Sequence, residues 1–286
     1  MGRNCSGRIA FTQALTQALT LALTLALTVG VMAAGCHPAP VKPTLPATLP
    51  EPARLLDILA EQRREVTSVR GFAEIAYESG EEKVGSRQAV LARRPDRFRI
   101  EALSFFGALA VVTSDGSDMA LYVRRENKVF RGPASPGSVA AYAAVPVPVP
   151  DVVAILLGTP PERRPTGAAT VTRDDERALI VLELPLEAER QEIWFAPDTL
   201  LSVASVTALP DGRRLQVRFG DYRDHGGVRF PHSIDMWAEP GDRTVRVRYA
   251  EPSLNTDMAD GLFVFPRRAG VEEFGIEQYL PQGWSP

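Results

Sequence analysis

The sequence predicts an α+β fold: an antiparallel sheet of about eleven to twelve strands that curls or closes, with three helices as cover. Three observations carry this. From Arg70 onward, short alternating runs are divided by turn residues such as "PD", "DGSD" and "REN", the texture of a meander. No helix separates successive strands regularly, which disfavours a parallel βαβ sheet. Helical periodicity is confined to one segment near the start of the domain and two in the middle. So many strands in one sheet must curl, and one face needs cover. Runs such as "RALIVLEL" and "LSVASVTAL" carry small or apolar residues on both faces, so the covered side is expected to be an apolar cavity open at one side.

The chain of 286 residues begins with Arg3 and Arg8 and no acid, then runs from Ile9 through Ala, Leu and Thr with no charge until Lys42. A basic start followed by an apolar stretch is the layout of an export signal, and Ala33, Ala34 and Gly35 suit a signal peptidase. Residues 1–35 are therefore expected to be a leader cleaved before Cys36. An ordinary secretory signal and an uncleaved membrane anchor are the alternatives, and all three place the remainder outside the cytoplasm. Cys5 and Cys36 are the two cysteines. Loss of the leader would leave only Cys36, so no internal disulfide is expected. Prolines at 38, 40, 43, 46, 50 and 52 favour extended polyproline II, which makes residues 36–52 a tether.

A domain is expected over 53–275, followed by a tail at 276–286. Leu55, Leu56, Leu59, Val66 and Val69 fall mainly at helical spacing behind Pro52 and predict the first helix. Strands follow from Phe72 to Gly132. "SVAAYAA" and "PDVVAILLG" then read as two short helices around "VPVPVP", because they contain apolar i, i+4 pairs and no turn residues. Strands resume at "AATVTRD" and run to "RTVRVRYAEPSLN", with hairpin signals at "PDGR" and "EPGDR".

The formal net charge is −3, and removal of a leader holding two arginines would make it more negative. This balance does not favour nucleic acid as a partner. The three histidines, His37, His225 and His232, lie at no metal-ligand spacing, and no nucleophile elbow, phosphate loop or zinc-protease motif occurs. No catalytic residue, cofactor or metal is expected, and nothing argues for an enzyme. Doubled arginines at 63/64, 93/94, 124/125, 163/164, 213/214 and 267/268 suit either a basic groove or charged strand ends that guard against edge pairing. The stretch "LSFFGAL", Leu103 to Leu109, joins two predicted strands yet holds adjacent aromatics where hairpin loops are normally polar. It either tucks into the core or presents apolar side chains to a membrane or ligand.

The segment "AAGC" resembles the lipobox of bacterial lipoproteins, whose cysteine is lipidated; by that likeness Cys36 is a lipidation site. "RFRIEALSFFGALAVV" (97–112), "AVPVPVPDVVAILLGTP" (144–160), "LQVRFGDYRDHGGVRFPHSIDM" (215–236) and "GLFVFPRRAGVEEF" (261–274) together resemble the LolA/LolB superfamily of periplasmic lipoprotein carriers and receptors, most nearly its outer-membrane receptor branch. The resemblance implies a half-open antiparallel β-barrel with helices as a lid over an apolar cavity that holds lipoprotein acyl chains. It implies a membrane-insertion loop at Phe105, Phe106, Gly107 and Leu109, with Phe106 matching the projecting apolar residue. It implies acylated lipoproteins or their periplasmic carrier as partners and a monomer anchored by its N-terminal lipid. His37, which is not acidic, points by the same likeness to the outer membrane, with the domain facing the periplasm. A structural or ligand-sensing envelope lipoprotein using the same fold without cargo transfer is the alternative.

Overall fold

Period-two patterning produces fifteen strands in a single sheet, and helical spacing produces three helices, among the described residues. The computed structural model describes residues 45–80, 82–105, 107–143, 145–187, 189–209, 211–241 and 243–279. Cys36, Phe106 and the leader lie outside them.

In chain order the elements are α1 (Pro52–Glu65), β1 (Ser68–Ser79), β2 (Glu82–Arg93), β3 (Arg97–Ser104), β4 (Gly107–Asp115), β5 (Asp118–Val123), β6 (Lys128–Pro133), α2 (Pro136–Ala143) and α3 (Val149–Leu156). There follow β7 (Thr170–Asp174), β8 (Leu179–Pro185), β9 (Arg190–Phe195), β10 (Ser202–Ala208), β11 (Arg214–His225), β12 (Val228–Glu239), β13 (Arg243–Tyr249), β14 (Ser253–Leu254) and β15 (Glu272–Gly275). The sheet order is β15-β6-β5-β4-β3-β2-β1-β13-β12-β11-β10-β9-β8-β7, with β14 pairing the start of β1. The sheet is open, its ends β15 and β7 being unpaired with each other. The three helices and the α+β class are as the sequence predicts. The strand count exceeds expectation mainly through two short additions, β14 and β15. The latter pairs β6 in parallel, where only antiparallel pairs were expected.

Two apolar clusters divide the covered face. In the first, Ile75, Val90, Val112, Leu121, Phe219, Ile234 and Val247 of the sheet pack against Val139 of α2, Val145, Val147, and Val149, Val153 and Leu156 of α3. α3 is apolar apart from Asp151 and is buried along most of its surface. Its acidic first-turn residue, Asp151, is buried and held by Arg163 through Nη1 at 2.8 Å. In the second cluster, Leu55 and Leu59, one turn apart on α1, pack on Ile180 and Leu182 of β8 and Ile193 and Phe195 of β9. Burial of each leucine stabilises by about 1.5–3 kcal/mol. Arg63 and Arg64 at the C-terminal turn of α1 complement its dipole. Leu45 and Leu49, in the stretch expected as tether, also pack on this cluster, and Pro46 accepts a bond from Arg173 through its carbonyl.

The two segments around α2 and α3 fill more space than their lengths suggest. "VPVPVP" contributes an inward valine at every second position, Val145, Val147 and Val149, before α3 adds its own buried face. The helices therefore roof the apolar side as expected, and their own side chains occupy it.

On the opposite, outer face, a segment from Asp257 to Arg268 crosses β2 to β5 as a strap. Asp260 binds Arg93 of β2 and Arg97 of β3, the Leu262 carbonyl accepts from Arg99 at 3.1 Å, and Phe263 packs with Leu91 and Met258. This second cover explains why Val111 and Val112, neighbours on β4 that face opposite ways, are both buried.

Candidate functional site

The most unusual surface lies at the hairpin joining β3 and β4. Ser104 and Gly107 pair across it, so only residues 105 and 106 form the loop. Gly107 has φ +105°, a conformation that a side chain would strain, and Ser104 Oγ donates to the Gly107 carbonyl at 2.8 Å. This tight turn leaves Phe105 97% exposed and Leu109 50% exposed. Of the two readings of "LSFFGAL", outward presentation is the one adopted by Phe105.

Beside the tip, the turn after β5 is tied to β4 by Arg124 N–H donating to the Leu109 carbonyl at 2.9 Å. One Arg124 guanidinium nitrogen stands 3.3 Å from where a Cβ on Gly107 would be. The outer face here holds a cleft of about 450 Å³, within the size range of ligand sites. Its floor is Ala108, Val111 and the stacked rings of Tyr122 and Phe265, 4.9 Å apart. Arg99, Arg124 and Arg268 line it, with Arg268 lying 5.0 Å over the Phe265 ring. Glu101, the acid of the cleft, is engaged by Arg99.

The roof is held by polar contacts. Tyr142 of α2 meets Tyr77 of β1 hydroxyl to hydroxyl at 2.7 Å, and Tyr249 of β13 donates to the Leu156 carbonyl of α3 at 3.0 Å. Burial pushes the phenols of Tyr77, Tyr142 and Tyr249 above the ordinary range, so all stay neutral. Just beyond α3, Gly158 has φ +73°, and a Cβ there would lie 2.5 Å from Pro231 Cδ. Arg94 reaches the same region, donating to Thr159 Oγ1 at 2.8 Å and to the Val66 carbonyl at 3.0 Å. Burial lowers Arg94 to about 10. Near α1 the pockets are small, about 20 and 10 Å³, no larger than about one water.

His225 and His232 are brought together across the β11–β12 hairpin, with Nε2 atoms 2.8 Å apart and rings stacked. His232 Nδ1 lies 3.1 Å from the Tyr249 carbonyl, which can only accept, so Nδ1 carries the proton and Nε2 accepts from His225. Among the described residues no group of three or more His, Cys, Asp or Glu could hold a metal, and no helix is long and apolar enough to cross a membrane.

Arg124 and Arg268 belong to the doubled arginines noted in the sequence and come together in the cleft, while Arg267 pairs with Glu273 at 3.0 Å. Others serve structure: Arg163 binds Asp151, Arg213 binds Asp211 and Arg214 binds Glu192. Sequence reasoning missed Tyr122 and Phe265 as a floor. The pair "FVF" at 263–265 carried a period-two signal with no predicted sheet to face.

No family model and no curated protein matches the sequence. Among solved structures, the chain is similar to a DUF1329 family protein from Desulfovibrio piger, with TM-score 0.54 and 13% identity over 75% of this chain and 98% of that one. It is likewise similar to a LolA superfamily protein from Nitrosomonas europaea, with TM-score 0.50 and 14% identity over 76% of this chain and 99% of the other. The chain thus has a LolA-like fold, the architecture that the resemblance implied.

Proposed function

We propose that this chain is a lipid-anchored envelope protein that takes acyl chains of lipoproteins beneath α2 and α3 and hands them to the outer membrane. No covalent chemistry is required. The observation that carries the reading is the tip of the β3–β4 hairpin, where a nearly fully exposed Phe105 and a half-exposed Leu109 project from a LolA-like fold. An exposed aromatic at a hairpin end is suited to entering the acyl region of a bilayer. Burying an acyl chain stabilises by about 0.8 kcal/mol per CH₂ in either the protein or the membrane, so transfer runs on affinity differences. Cys36 supplies the anchor and the proline-rich stretch after it the reach.

Because the roof's side chains occupy the apolar side, cargo entry requires α2 and α3 to lift. Lifting is resisted by the burial of the roof's valines and of Leu156, and by the Tyr77–Tyr142 and Tyr249–Leu156 hydrogen bonds, each about 1 kcal/mol. The same filling favours a second reading, an envelope lipoprotein that uses the fold for structure or sensing without cargo. Binding of an acylated peptide to the full chain decides between them. The transfer reading expects saturable binding that strengthens in Tyr142→Phe and Tyr249→Phe, and Phe105→Glu is expected to keep binding but slow delivery to vesicles. No binding in the wild type or either tyrosine variant overturns it in favour of the second reading.

A further inference from the structure

The cleft on the outer face lies on the side of the sheet opposite the roof, so it is separate from any acyl site beneath α2 and α3. Its chemistry is mixed. The floor is aromatic and aliphatic, whereas the sides bring three arginines against one carboxylate that Arg99 already engages. Inorganic phosphate would meet the arginines and leave the Tyr122–Phe265 floor uncovered. A phosphodiester carrying a glycerol backbone matches both, with charge on the guanidinium groups and carbon on the rings. Position adds a further argument: Leu109 and Arg124 are hydrogen-bonded neighbours, so the cleft starts where the apolar tip ends. Arg125, exposed and next to Arg124 in the turn after β5, adds positive charge at the same end, whereas Arg267 is paired with Glu273.

We propose that this cleft binds the headgroup of an anionic membrane phospholipid, gripping its phosphate with Arg99, Arg124 and Arg268 while Phe105 and Leu109 enter the acyl layer. The inference rests on the hairpin being the membrane contact of the proposed function. It adds which lipid the contact selects and which way the protein stands on the surface: the strap side faces the headgroups and the roof remains accessible to cargo.

The test is flotation of the full chain with vesicles of phosphatidylcholine alone and with vesicles in which a third of the lipid is phosphatidylglycerol. The wild type is expected to favour the anionic vesicles by about tenfold or more, on the usual contribution of surface arginines. Arg124→Gln combined with Arg268→Gln, both exposed positions, is expected to bring that preference near unity. The same charge loss at remote exposed sites, Arg64→Gln with Arg164→Gln, is expected to keep it. Retained preference in the cleft variant, equal loss in the remote variant, or no preference in the wild type overturns the proposal. So does competition by millimolar inorganic phosphate, which would make the cleft a site for the free ion. Phe105→Glu separates the two readings. If it binds neutral vesicles like the wild type, the hairpin is not the membrane contact and the proposed function fails there, whereas the anionic preference still reports on the cleft.

Discussion

Replacing Gly158 with alanine tests how firmly the roof is docked, because two separate costs meet at that position. At φ +73° an alanine is strained by about 1–2 kcal/mol relative to glycine. Its Cβ would also lie 2.5 Å from Pro231 Cδ and 2.6 Å from Cγ, a ring fixed within β12 that has no rotamer to escape into. Overpacking of that kind costs about 1–3 kcal/mol. Gly212 provides the comparison. It has φ +83° with nothing within 4 Å of a built Cβ, so Gly212→Ala carries strain alone. Gly158→Ala is therefore expected to lose about 2–5 kcal/mol, and Gly212→Ala about 1–2 kcal/mol. For a domain of this size the first corresponds to a fall in Tm of roughly 4–20 °C. Urea unfolding of the full chain followed by far-UV circular dichroism reads both. Because the overlap sits where α3 leaves the roof, Gly158→Ala should also raise acylated-peptide binding if the roof lifts to admit cargo. Equal stability losses in the two variants would refute the claim that the α3 terminus is wedged against β12.

Leu55→Ala empties a fully buried position between α1 and the β8–β9 hairpin and is expected to lose about 2–5 kcal/mol, whereas Leu56→Ala, only partly buried, loses much less; equal losses in urea unfolding would show that α1 is not held by that seam. Stability should also fall with acid through His232. Burial, aided by the nearby Arg223 and His225, holds its folded pKa below the ordinary 6.5, despite the Tyr249 hydrogen bond and Asp221 acting the other way. Between the folded value and 6.5 the unfolded chain binds more protons, so stability present above pH 6.5 is lost as pH drops below it and levels off beneath the folded value. Unfolding midpoints from pH 8 to pH 5 check this: His232→Gln should flatten the decline, and an unchanged slope would remove His232 as its source.

Much of the strand content was legible because alternation is a local property. "RFRIEAL" puts Phe98 and Ile100 on one side and Arg99 and Glu101 on the other whatever the rest of the chain does. Leu55 and Leu59 likewise specify the buried face of α1 by spacing alone, and the turn at Gly107 follows from glycine tolerating positive φ. The exposure of Phe105 was not decidable at that level. The same "SFFG" satisfies a core or a surface, and only the two-residue length of the observed loop turns Phe105 outward.

The sequence by itself determined which side chains share a face, where helices replace strands, and which turns are tight, since each depends on neighbours a few residues away. Tertiary structure alone decided which edges meet and what covers each face. β15 reaches β6 from more than a hundred residues downstream, β1 pairs with β13, and the strap lays Phe265 against Tyr122 to build the cleft. Those choices are set by the burial available to the whole chain against the entropy of closing long loops, a balance that no local pattern encodes. The arginines of the cleft were visible as residues from the start. That Arg99, Arg124 and Arg268 face a common apolar floor is a property of the folded sheet and its strap.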